Sequence, residues 1–244
     1  MITDVIEPAI QDVWVYLTAR PLVWLTVTIT AYLIGQWLFE RAGRRPLVNP
    51  VAIAVVLLVA LLMVTGTDYQ TYFDGAQFVH FLLGPATVAL AVPLFQNFAQ
   101  VRRAALPMVA ALAAGSVTAI LSAVGIAMLF GVSLETSRSL ASKSVTMPIA
   151  MGITEQIGGI PSLTAVVVMI TGIIGAMVVT PLMDLLRIGD WRARGFAVGV
   201  ASHGIGTARA FQVNEIAGTF AGIAMALNGI ATAIMVPLLI SLLD

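Results

Sequence analysis

Two short stretches hold the residues best suited to chemistry. One is Ser202-His203-Gly204-Ile205-Gly206-Thr207-Ala208-Arg209, and the other is Ser142-Lys143-Ser144-Val145-Thr146-Met147-Pro148. Both lie in an otherwise oily half of the chain. Hydroxyls, glycines and a fixed positive charge together can hold a small anion such as a carboxylate or phosphate, because helix-end amides and a guanidinium both favour negative charge. Lys143 is the only lysine in the chain. Ser142, Lys143, Ser144 and Thr146 are too close in sequence to share one helix face. They suit an unwound backbone, with Pro148 opening a short helix behind it. Gly204 and Gly206 permit backbone conformations that other residues resist, and Thr207 can cap a short helix carrying Arg209. His203 can take up and release a proton near neutral pH, and Glu155 is a second candidate for proton coupling. The competing readings are a Lys143 that snorkels to the headgroups and a polar knot at 202–209 that locks two half-helices.

Motifs of other chemistries are missing. There is no His-Glu-x-x-His, no Walker A loop and no Gly-x-Ser-x-Gly, so the chain reads as no enzyme. No cofactor or metal is expected. The chain has no cysteine and only two histidines. Zero net charge gives no reason to expect a nucleic-acid partner.

The elements that must position these residues are membrane helices. The 244 residues are 59% hydrophobic and 10% charged, against about 25% charged in soluble domains. Apolar runs reach the roughly 20 residues that cross a ~30 Å hydrocarbon layer. The expectation is an all-α polytopic membrane protein, residues 1–244 forming one domain in a cell inner (plasma) membrane. Residues 1–20 read as an interfacial helix. Residues 21–130 read as four spans: Pro21 to Phe39 with Trp24 and Trp37 as interface anchors, 51–66, 76–96 broken at Gly84-Pro85, and 104–130. Residues 67–75 read as a polar connection.

Arginines orient the map, since positive loops stay cytoplasmic. Residues 40–50, 97–103 and 187–194 then lie inside. The span 161–186 runs inward, so 139–159 must dip in from outside and return. Residues 195–214 are expected to do the same from inside, before a last span at 215–243. The result is about six transmembrane helices plus two re-entrant or broken segments, with 131–244 forming two inverted re-entrant-plus-span units, a transporter pattern. A shift of 60 residues places Ser142 on Ser202, Lys143 on His203 and Glu155 on Glu215, a weak internal repeat. Asn228, in the middle of the last span, reads as an interhelical hydrogen-bond partner.

Three stretches resemble a known family: Leu83-Gly84-Pro85-Ala86-Thr87-Val88-Ala89-Leu90-Ala91-Val92-Pro93-Leu94, Lys143 to Ala150, and Ala201 to Ala210. They are similar to the LrgB/CidB family, including its YohK branch and the C-terminal part of plastid glycolate/glycerate translocators. The resemblance implies either transport of small monocarboxylates or hydroxy-acids (pyruvate, glycolate or glycerate), or an antiholin-like control of murein hydrolase export and autolysis. It also implies a small LrgA/CidA-type membrane partner; a homo-oligomer is a further possibility. The site residues themselves come from their chemistry, not from the resemblance.

Overall fold

A computed structural model describes residues 21–45, 47–82, 85, 88 and 95–241. The expected interfacial helix at 1–20 and Gly84 of the expected break lie outside the described residues, as does the side chain of His80. Among the described residues every regular element is a helix. The chain divides into two compact units, Met1–Ala89 and Leu90–Asp244.

The first unit contains α1 (Pro21–Arg41), α2 (Pro50–Thr65) and α3 (Tyr69–Phe81). Helix α2 starts where Asn49 Oδ1 accepts the amides of Val51 and Ala52 and Pro50 supplies a helical φ. It ends at Gly66, whose φ of 65° closes the last turn. The expected polar connection at 67–75 is instead mostly helix. Asp68 caps α3 through the amides of Gln70 and Thr71, so the polar residues there start a helix rather than a loop. Trp24 is also not the lipid-facing anchor expected. It is fully buried, edge-on to Tyr72 with ring centroids 5.7 Å apart. Trp37 does face outward, under the Arg41 guanidinium.

The second unit contains α4 (Phe98–Arg103), α5 (Ala105–Leu129), α6 (Leu134–Ala141), α7 (Met147–Gln156), α8 (Pro161–Leu185), α9 (Trp191–Val213) and α10 (Glu215–Ile240). Four described helices are long and apolar enough to cross a membrane: α1, α5, α8 and α10. Helix α2 is apolar but shorter.

Helices α6 and α7 form a hairpin with its turn at 142–146. Hydroxyls rivet it. Ser142 Oγ donates to the Ala150 carbonyl at 3.1 Å and lies 3.1 Å from Thr154 Oγ1. Thr154 Oγ1 is 2.9 Å from Thr164 Oγ1, and Thr164 donates to the Ser139 carbonyl. Ser139 Oγ accepts the Ile160 amide at 2.7 Å, next to the start of α8. In an apolar surrounding each of these groups needs a partner, and the ladder supplies one.

Helix α9 also doubles back. Ser202 (φ −136°, ψ 18°) and His203 (φ 41°, ψ −137°) leave helical geometry. A Cβ placed on Gly206 would lie 3.1 Å from the Val198 carbonyl oxygen, whereas eight residues of straight helix span about 12 Å. Val198 and Ala210 share one core cluster with Ala217 and Ala221. The two halves, 191–201 and 204–213, are therefore antiparallel, each about 15 Å long. Gly199 of the first half leaves room for Ala221 of α10, and Gly218 of α10 leaves room for Phe211 of the second. The left-handed position at the turn is His203, not Gly204 or Gly206. Gly206 serves close approach instead, since a Cβ there would sit 2.6 Å from Ser202 Cβ.

Candidate functional site

Lys143 sits at the tip of the α6–α7 hairpin, where the turn has no helix to carry its side chain away. It points with Ser144 into a cavity of about 610 Å3. The walls are α5, through Met108, Ala111, Gly115 and Ala119, and the first half of α9, through Phe196, Ala197, Val200 and Ala201. Gly115 keeps its wall low, because a Cβ there would come 3.1 Å from Val200 Cγ1. Between Ala105 and Ala119, α5 rises about 21 Å, so the cavity is long. Its Arg103 end also carries Asp190 and Arg192 and reaches the surface, where both members of the Asp190–Arg192 ion pair are about half exposed.

The charges divide unevenly. Arg192 is held by Asp190 at 2.6 Å, and that guanidinium holds the Asp190 carboxyl down to about 2. Lys143 Nζ donates to Ser144 Oγ at 3.4 Å. Among the described residues no carboxylate lies within ion-pair distance of it. A half-buried ammonium with a neighbouring hydroxyl, at one end of a largely apolar cavity, has the chemistry to hold one small anion.

The other expected site residues are not brought to this cavity. Ser142 is fully buried in the hydroxyl ladder. Thr146 stands at the N-cap position of α7 with extended backbone, and Glu155 is exposed at the far end of that helix. Ser202 packs where Gly175 of α8 leaves space. His203 Nε2 lies 2.9 Å from the Val168 carbonyl, and Thr207 Oγ1 donates to the His203 carbonyl. Arg209 lines a second, much smaller cavity of about 20 Å3, with Val179, Gly195 and Val198. That volume suits about one water molecule, not a carboxylate.

A single cradle joining Lys143 to Arg209 is thus corrected by the structure. The first half of α9 stands between them. Its residues 192, 193, 196, 197, 200 and 201 face the large cavity, while 191, 194, 195 and 198 face the small one. Helical periodicity separates the two faces. Arg103, Phe196 and Phe220 were not singled out in the sequence. The arginine served there only to orient the chain, and the aromatics have the composition of any span.

These features define a helical, multi-pass membrane protein with two helical hairpins beside a basic-ended cavity. It belongs to the LrgB-like family, whose model matches residues 28–242. The chain is 34% identical to YwbG, an uncharacterized protein of Bacillus subtilis, over 89% of this chain and 96% of the relative. It is 32% identical to an uncharacterized Haemophilus influenzae protein, over 86% of this chain and 93% of the relative. It is 28% identical to the antiholin-like protein LrgB of Bacillus cereus, over 91% of this chain and 96% of that protein. No solved structure matches.

Proposed function

We propose that the protein is a secondary carrier for small monocarboxylates or hydroxy-acids of the pyruvate, glycolate and glycerate class, in the cell inner (plasma) membrane. The observation that carries this reading is Lys143, without a carboxylate partner among the described residues, lining one end of a cavity about 610 Å3 in volume. Lys143 neutralises the carboxylate, and Ser144 Oγ orients it or meets a substrate hydroxyl. Phe196, Phe220 and Met108 exclude water and accept only a short apolar remainder. No bond is made or broken in the solute.

In this reading the hairpins are re-entrant and inverted about the membrane plane, within about six spans. What supports it is where their open ends lie. Ser139 meets Ile160 and Thr164 at the start of α8. Trp191 and Val213 meet Thr180 and Met183 near its end. Two half-depth hairpins from opposite faces are how carriers build a site at the midplane. By the distribution of arginines the Arg103 end is cytoplasmic, so the cavity is the inward-facing state. A small LrgA/CidA-type subunit is the expected partner.

The name of the Bacillus cereus relatives favours a second reading, an antiholin-like regulator of murein hydrolase export and autolysis. Uptake of labelled pyruvate, glycolate and glycerate into liposomes, with and without the small partner, separates the two. The carrier reading expects saturable uptake that Lys143→Ala reduces at least about tenfold, the loss of one charge-assisted contact. Arg209→Ala should lower stability and leave KM unchanged. Absence of uptake under both conditions would favour the regulator, and equal uptake by Lys143→Ala would remove the site.

A further inference from the structure

One side chain of α10 holds the tips of both hairpins. Asn228 is 1% exposed. Its Nδ2 donates to the Ser144 carbonyl at 3.3 Å and to the Val200 carbonyl at 3.0 Å. Its Oδ1 accepts from Ser116 of α5 at 2.7 Å and from Thr232 at 3.3 Å. Both carbonyls are products of the chain reversals. Ser144 lies in the turn between α6 and α7. Val200 cannot bond to the amide four residues on, because Ser202 and His203 break the helix between them. A buried carbonyl without a donor is costly, and one carboxamide serves both, with its oxygen satisfied from the other side.

The bonds are not equal. Those to Ser116 and Val200 are the shorter ones, 2.7 and 3.0 Å, and join α10 to α5 and the first half of α9, the two helices that wall the cavity. The longest donor contact is to Ser144, beside Lys143. We infer that Asn228 is a positioning residue, a latch that keeps the Lys143 tip turned into the cavity and lets go of the Ser144 carbonyl when the tip turns to the opposite side. Asn228 stays with the wall, and the α6–α7 hairpin is the part that moves. This rests on the carrier reading for its purpose, but not for its test.

The chain has no cysteine, so single reporters are clean. Ala119→Cys reports the Lys143 end of the cavity, and Thr146→Cys reports the start of α7. Each is placed in the natural, Asn228→Ala and Asn228→Asp backgrounds and labelled with a membrane-impermeant maleimide in right-side-out and inverted vesicles. Aspartate keeps the shape but removes both donors. With the latch intact, Ala119→Cys labels from the Arg103 side alone. Both Asn228 variants should raise labelling of one or both reporters from the opposite side about tenfold, the scale of losing a buried hydrogen bond in a two-state balance. Folded variants with unchanged sidedness overturn the latch, and so does failure of both to fold, which would make Asn228 purely structural. Shifted labelling without any carboxylate uptake keeps the latch and sinks the carrier; uptake without shifted labelling does the reverse.

Discussion

His203 Nε2 lies 2.9 Å from the carbonyl oxygen of Val168, on the neighbouring helix α8. The carbonyl can only accept, so that nitrogen carries the proton. The contact anchors the tip of the α9 hairpin to α8, at a residue whose own φ is 41°. Such a backbone costs a non-glycine residue about 1–3 kcal/mol. His203→Gly should therefore be less destabilising than His203→Ala by about 1 kcal/mol. Thermal unfolding of the purified variants in one detergent checks the order.

Gly172 of α8 makes the room for that ring. A Cβ on it would lie 2.6 Å from His203 Cε1 and 2.8 Å from Nε2. Gly172→Ala should cost about 1–3 kcal/mol by overpacking. Combined with His203→Ala it should cost less than the sum of the two single changes, because the two closest clashes are with the ring, Ile205 Cδ1 at 2.9 Å being the third. A double-mutant cycle in unfolding free energy gives the coupling, and simple additivity would contradict the packing described.

The hydroxyl ladder of the other hairpin makes a separate claim. Thr154 Oγ1 joins Ser142 to Thr164, and all three are fully buried. Thr154→Val keeps the shape and removes the link between Ser142 and Thr164, which keep the Ala150 and Ser139 carbonyls, at a cost of about 1 kcal/mol. Thr154→Ser should stay close to the natural stability. Uptake by folded Thr154→Val should keep its KM, since the residue does not line the cavity.

Blocking the channel tests the cavity without touching a charge. Ala111→Trp places an indole midway between Arg103 and Ala119 on α5. Uptake should fall to background while yield and unfolding temperature stay near natural values. In the natural background, a cysteine at Ala119 should be shielded from maleimide by pyruvate, and one at Ala210 should not.

Asp190 gives a pH dependence of known sign. The Arg192 guanidinium, chiefly, depresses its carboxyl to about 2 in the folded chain, against about 3.9 when unfolded. The stabilisation is present in full above about pH 4 and is lost as pH falls toward 2. The gap in unfolding temperature between the natural protein and Asp190→Asn should stay constant from about pH 5 to 8 and close below about pH 4. The pair is well exposed to solvent, so the gap is small.

The sequence by itself determined the class of protein and the stretches within which the chain reverses. Apolar runs of spanning length, arginines at their ends and a proline after a polar cluster are local signals. Each acts through the energy of its own segment in lipid or at a helix start. They were enough to mark the fourth span, α8, α10 and two segments that turn back, within 139–159 and 195–214. They misjudged Trp24 and residues 67–75, where aromatic packing and an aspartate cap beyond the hydropathy signal decided the outcome. Only the tertiary structure decided which polar residues share a space. Lys143 and Arg209 look alike in an oily sequence, yet the first half of α9 puts them on opposite sides of a wall. The same packing gives Ser142, His203 and Thr207 internal partners, and gathers Ser144 and Val200 onto Asn228. Facing is set by contacts between segments far apart in sequence, and a buried polar group takes whichever partner the packing brings within hydrogen-bond reach.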